Sequence, residues 1–159
     1  MTTLDRRTLL GASFALAAAA RVDASEPASQ EGALPGVTPH TRFAVNIEMW
    51  SFGGVSHAER IALSAKLGYK AVEMWPWRGK DLDALEKALK DNGVELVQFT
   101  GWGFNPGMNN PVNHAKFVEE IREGCKVAQR LGNKMLLVVA GNDQPGMTKA
   151  EMHEHVVTG

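Results

Sequence analysis

The chain has 159 residues, 44% hydrophobic and 22% charged, with 17 basic and 18 acidic side chains. That length holds one domain with a real core. A net charge of -1 gives no global electrostatic argument for nucleic acid or an anionic membrane as partner. The single cysteine excludes an intrachain disulfide and selects no redox compartment.

Arg6-Arg7 precedes a small, apolar run from Leu9 to Ala20, and Val22-Asp23-Ala24 offers small residues spaced for signal peptidase. Basic region, short apolar region and cleavage site together read as an export signal over residues 1–24. The apolar region is too short for a comfortable transmembrane helix, so no stable membrane span is expected after cleavage. Asp5-Arg6-Arg7-Thr8-Leu9-Leu10 resembles the twin-arginine motif, with Asp5 before the arginines and Leu9 where Phe is common as departures. That resemblance implies export of an already folded protein to a bacterial periplasm; a Sec signal or an uncleaved anchor is the alternative. Residues 25–41, rich in Pro, Gly, Ser and Glu, read as a flexible linker.

The first apolar run, Phe43 to Trp50, reads as a strand with a side-chain period of two. Phe43, Val45, Ile47 and Met49 then share one face, and Ala44, Asn46, Glu48 and Trp50 the other. Gly53-Gly54 follow as a loop, and Ser56 with Glu59 makes a capping box that starts a helix. Ile61, Leu63, Ala65 and Leu67 supply its apolar positions, and Gly68 its stop. The second strand repeats the first one's phrase: Val72-Glu73-Met74-Trp75 answers Ile47-Glu48-Met49-Trp50. Val72 and Met74 oppose Ala71, Glu73 and Trp75. Asp81 is the next N-cap, Leu82, Leu85 and Leu89 form a helical face, and Gly93 ends that helix.

The third strand, Val94 to Trp102, places Val97 and Phe99 opposite Gln98, Thr100 and Trp102. The loop Gly103–Asn110 is long enough to suggest a functional role. Pro111 suits a helix N1 position, and Val118, Ile121, Cys125 and Ala128 make a stripe that predicts Cys125 as a small core residue. Met135–Ala140 is a continuous apolar run, as for a strand buried on both faces. Thr148 with Glu151 starts a last helix. The order β-α-β-α-β-α-β-α, with polar then aromatic residues at the strand exits, predicts an α/β fold: part of a (β/α)8 barrel, about four units, preceded by the signal peptide. A small doubly wound sheet is the alternative. It leaves the polar faces of three successive strands unexplained.

The segments Ala44-Val45-Asn46-Ile47-Glu48-Met49-Trp50, Leu67-Gly68-Tyr69-Lys70-Ala71-Val72-Glu73 and Ala128-Gln129-Arg130-Leu131-Gly132, running into Val139-Ala140-Gly141, carry a resemblance. Residues 42–159 resemble the N-terminal half of the hydroxypyruvate isomerase branch of the xylose-isomerase-like sugar isomerase/epimerase barrels. The resemblance implies a (β/α)8 barrel, one divalent metal (Mg or Mn) in the full-length parent, and aldose–ketose isomerisation or epimerisation through a glutamate pair. In that family the metal ligands and catalytic glutamates lie on second-half strands. No metal ligand and no catalytic residue therefore carries over to this chain, and none is expected to be held by it alone.

What remains is a half-pocket for a small sugar or hydroxy-carbonyl substrate, with Glu48, Trp50, Glu73, Trp75, Trp102 and Asn142 as candidate substrate-binding residues. Glu48 and Glu73 can orient hydroxyls or donate protons; equally, they can bond backbone groups or a Lys at the barrel rim. The tryptophans can stack on a sugar or pack the rim. Asn142 can touch substrate, although a simple Gly141-Asn142 turn is the plainer reading. His153-Glu154-His155 lacks the spacing of a helical metal pair and reads as a solvated face, while His57 and His114 read as surface residues. The rival functions are a secreted carbohydrate-binding protein without catalysis and, against the charge balance, an endonuclease-type barrel. Exposed edges of a half-barrel make a homo-oligomer possible.

Overall fold

The structure, a computed structural model, describes residues 33–49 and 53–159. The export signal and Trp50 lie outside the described residues. Leu34–Gly159 form one compact unit. Strand β1 spans Ala44–Asn46, helix α1 His57–Lys66, β2 Ala71–Met74, α2 Leu82–Asn92 and β3 Glu95–Trp102. A 3-10 turn over Pro111–Asn113 leads into α3, His114–Leu131; then come β4, Met135–Val138, and α4, Lys149–Thr158. The four strands pair in the order β1-β2-β3-β4, all parallel. This is an α/β fold that matches part of a (β/α)8 barrel.

The helix starts are set locally. The Ser56 side chain accepts from Glu59 N while Ser56 N donates to Glu59 Oε2 at 2.8 Å, and Thr148 with Glu151 repeats the box. The Asp81 side chain accepts from Ala84 N at 3.0 Å. Helices α2 and α3 end on left-handed Gly93 and Gly132.

One face of the sheet packs on three helices. Val45, Val72, Met74, Leu96 and Phe99 meet Ile61 of α1, Leu85, Ala88 and Leu89 of α2, and Val127, Ala128 and Leu131 of α3. Each large side chain fully buried there contributes about 1.5–3 kcal/mol. On α1 the buried residues are Ile61 and Ser64, with Ala58 and Ala65 packed beside them. Leu67 is exposed instead of joining the core. The expected alternate spacing does not keep one side of a 3.6-residue turn.

Helix α3 departs from its expected stripe as well. Val118 and Cys125 are exposed, and the buried line is Gly124, Val127, Ala128 and Leu131. Gly124 faces the sheet because the helix sits close: a Cβ there would lie 3.4 Å from Leu136 Cδ1 and 4.0 Å from Phe99 Cε2. A glycine does not register as an apolar position, so the stripe appears rotated in the sequence.

Strand β3 is bulged twice. Val72 pairs with Leu96 and Glu73 with Gln98, so Val97 is an extra residue. It lines the same hollow as Ala44 and Ala71. Val97 therefore joins Gln98 on the inner face instead of facing the helices, and Leu96 takes the expected core place. Further along, Thr100 pairs with Leu137 and Trp102 with Val138, leaving Gly101 extra. A Cβ on Gly101 would lie 3.1 Å from Ile121 of α3, and the Trp102 ring meets Phe117 of α3 edge-on at 5.5 Å. Trp102 thus sits on the helix side, not with Gln98 and Thr100.

Strand β4 is not buried on both faces. Leu136 packs on the core, while Met135, Leu137 and Val138 are exposed at the sheet edge. At the other end, Leu34 to Thr38, within the stretch read as linker, lies against the turn after α1. Gly36 N donates to Leu67 O at 2.8 Å, and a Cβ on Gly36 would fall 2.2 Å from Tyr69 N. Only a residue without a side chain fits that approach.

Candidate functional site

The inner face of the sheet carries a polar ladder near the strand C-termini. Asn46, Glu73 and Gln98 sit at matching registers on β1, β2 and β3. Asn46 Nδ2 donates to Glu73 Oε1 at 2.9 Å, and Gln98 Nε2 donates to Glu73 Oε2. A carboxylate flanked by two amide donors is held in a fixed orientation. Among the described residues each amide keeps a further N–H, and Gln98 its side-chain carbonyl oxygen. The row therefore offers donors and acceptors spaced at neighbouring strands, as a polyol or hydroxy-carbonyl compound requires.

Glu48 does something different. It lies past the end of β1, in a turn held by Asn46 Oδ1, which accepts from Glu48 N at 3.0 Å and Met49 N at 3.3 Å. Its carboxylate leaves the ladder and reaches the loops. Oε2 meets His57 Nε2 at 3.0 Å, and Oε1 meets Lys80 Nζ at 2.8 Å and accepts from Trp75 N at 3.2 Å. Lys80 Nζ also donates to Pro76 O at 2.6 Å. The side chains of Glu48 and Lys80 are only 12% and 10% exposed. Burial pushes the Glu48 carboxyl up, but the hydrogen bonds and charges of Lys80 and His57 outweigh it and hold the group below its ordinary 4.5. Of the two polar residues that share a face of the first strand, Asn46 and not Glu48 joins Glu73 and Gln98, while Glu48 clasps the first two loops.

The other described candidates do not join the Asn46–Glu73–Gln98 row. Trp75 is exposed at the exit of β2. Trp102 is buried against Phe117, its Nε1 without a hydrogen-bond partner among the described residues. Asn142 is exposed, and its backbone carbonyl oxygen accepts from Asn109 Nδ2 at 2.8 Å and Gln144 Nε2 at 3.0 Å. His57 and His114 are half-buried, His57 on Glu48 and His114 Nε2 2.9 Å from Met108 O.

Sequence reasoning missed Asn46, Lys80, His57 and Asn109. Asn46 was visible only as a polar residue on the right strand face. Asn109 is buried, bonds Ala140 O through its backbone at 2.9 Å, and ties the loop after β3 to the exit of β4. Nothing in its local sequence announces that reach.

Among the described residues no three His, Cys, Asp or Glu side chains converge on a point that could hold a metal. All four carboxylate oxygens of Glu48 and Glu73 already face donors or cations. The residues described here do not fit a divalent ion, which wants about six oxygen-rich ligands.

A parallel strand–helix repeat with polar side chains gathered toward the strand C-termini is the arrangement of a barrel-type α/β protein. A family model described as xylose isomerase-like TIM barrel matches residues 61–159. The chain belongs to that family. No curated protein matches the chain significantly. Among solved structures, a family 2 AP endonuclease from Brucella melitensis superposes with a TM-score of 0.65 at 22% identity, covering 74% of this chain and 47% of that one. A Sinorhizobium meliloti 1021 protein gives 0.59 at 22% identity, covering 73% and 42%. A xylose isomerase domain containing protein from Salmonella typhimurium LT2 gives 0.54 at 18% identity, covering 73% and 43%. The chain spans less than half the length of these three structures.

Proposed function

We propose that this chain forms the N-terminal half of a sugar isomerase/epimerase pocket and contributes its substrate-orienting wall. The parent reaction is the aldose–ketose isomerisation of a small hydroxy-carbonyl compound, of the hydroxypyruvate isomerase kind. The observation that carries the reading is the Asn46–Glu73–Gln98 ladder. It sets a carboxylate acceptor between two amides on the inner face of a barrel-type sheet, at the end where such folds bind ligand. Vicinal hydroxyls donate to the Glu73 carboxylate, and a carbonyl oxygen accepts from the remaining amide N–H groups. Trp75, exposed at the exit of β2, is proposed to wall the substrate against water.

On this reading the chain by itself binds sugar without turning it over. A balance of 17 basic and 18 acidic residues supplies no surplus for a phosphate backbone, which argues against an endonuclease role. Export to the periplasm belongs to the same proposal and rests on Arg6-Arg7 and the apolar run after them.

Isothermal titration with hydroxypyruvate and common ketoses, with and without manganese or magnesium, tests the reading beside an isomerase assay. The expected result is weak sugar binding that Glu73→Ala abolishes, weak metal binding, and no turnover. Sugar binding indifferent to Glu73→Ala would remove the ladder from the site. Tight stoichiometric metal binding with turnover would place the chemistry elsewhere in the chain.

A further inference from the structure

The side-chain amide of Asn46 serves two structures at once. Its Nδ2 donates to Glu73 Oε1 at 2.9 Å within the ladder, and its Oδ1 accepts from Glu48 N at 3.0 Å. Glu48 Oε1 in turn accepts from Trp75 N at 3.2 Å. Trp75 stands two residues after Glu73, so the chain completes the circuit. Glu73, Asn46, Glu48 and Trp75 thus form a closed ring of bonds that joins the ladder to the exit of β2. The Trp75 backbone cannot shift against Glu73 without breaking a member of that ring.

The exit segment, Trp75–Asp81, is tied down along its length. Lys80 Nζ, nearly buried, sits 2.8 Å from Glu48 Oε1 and donates to Pro76 O at 2.6 Å. Lys80 N closes a turn on Trp77 O at 3.2 Å, with Gly79 at a φ of 77° inside it. On the far side the Arg78 guanidinium lies over the Trp77 ring, 4.3 Å from its centroid, and donates to Glu120 of α3 from Nε at 2.7 Å and Nη2 at 2.7 Å. The Trp77 side chain packs on the core, and Asp81 caps α2. The two tryptophans of this segment therefore differ in kind. Trp77 is an anchor, while Trp75 is half exposed on a backbone held by Glu48. A segment whose polar groups are committed to β1, α2 and α3 opens rarely.

We infer that Trp75–Asp81 is a braced platform that holds Trp75 at one place relative to the ladder, and that Glu48, Lys80 and Arg78 are positioning residues for the sugar site proposed above. Such bracing raises affinity by removing the cost of ordering the segment when ligand arrives. Glu48 then affects the ligand through Trp75, without touching it.

Amide hydrogen exchange and calorimetric titration with hydroxypyruvate and D-fructose test this on the full chain. Glu48→Ala is expected to speed exchange of the Trp75 amide by about tenfold or more, as loss of a hydrogen bond to a charged group implies. Thr148→Ala, which removes the cap of α4 far from the brace, leaves that amide unchanged. In the titrations Glu48→Ala and Trp75→Ala each weaken sugar binding, and the double variant binds no more weakly than Trp75→Ala alone. Additive losses would make Glu48 merely structural and overturn the positioning role. Unchanged exchange at Trp75 in Glu48→Ala would overturn the brace, and so would equal acceleration by Thr148→Ala. If Glu48→Ala does not fold, Lys80→Met and Arg78→Ala take its place in both measurements. A wild type that binds neither sugar sinks the sugar-site reading, and hydrogen exchange alone then decides the brace.

Discussion

Replacing Glu48 by Gln removes the negative charge that faces Lys80 and His57 and leaves Lys80, a nearly buried cation, with neutral carbonyl acceptors alone, Pro76 O and the amide oxygen. Hydrogen bonds to charged groups are worth about 1.5–3 kcal/mol each, so the variant loses about 2 kcal/mol by denaturant unfolding. The same clasp sets an acid limit. The Glu48 carboxyl lies below its ordinary 4.5 in the folded chain. Its contribution is therefore full above pH 4.5 and is lost as pH falls through the folded value. Glu59 and Glu151 are lowered as well, by bonds to Ser56 and Thr148, so the wild type also weakens in acid through them. The difference between wild type and Glu48→Gln in thermal scans from pH 6 downward isolates Glu48. It is expected to shrink toward zero in acid, and a pH-independent difference would remove the clasp as its cause.

At the scale of single elements, local signals were legible and cross-strand ones were not. The Ser56–Glu59 and Thr148–Glu151 boxes and the Asp81 cap lie within three residues, and the helices begin where those signals put them. Ser56→Ala should cost about 1 kcal/mol, read as a lower denaturation midpoint at unchanged slope. The alternation of β1 and β2 was legible too, since Val45, Val72 and Met74 are buried as their parity requires. Parity failed on β3, because a bulge is a relation between two strands and leaves no mark on one. The clasp failed for a similar reason: His57 and Trp75 lie nine and 27 residues from Glu48. The two glutamate phrases looked equivalent in sequence. One falls inside a paired strand and the other just past it.

For the whole molecule, the parallel β-α order and the family were legible from repeated strand exits and helix stops, and the model match over residues 61–159 agrees with them. The exposure of β4 was not, because an apolar run states what a strand is suited to and not whether a neighbour is present. Among the described residues no helix is long and apolar enough to cross a membrane. The proposal of export makes its own test: changing Arg6 and Arg7 together to Lys should hold the precursor in the cytoplasm of a bacterial host, measured by fractionation. Normal export of that variant would rule out the twin-arginine route.

The two bulges of β3 also govern where the strand can change length. Any one-residue loss in a regular strand inverts every side chain beyond it. Val97 and Gly101 are exceptions, because each shares its face with the next residue. Deleting Val97 leaves Leu96, Gln98, Phe99 and Thr100 in strict alternation with Phe99 still in the core. Deleting Phe99 instead turns Thr100 toward the helices. The first deletion should therefore yield a folded chain and the second an insoluble one, compared by soluble expression and circular dichroism. In relatives of this chain, length variation in the third strand is expected to fall at these two sites, where a gap in the sequence is silent in the core.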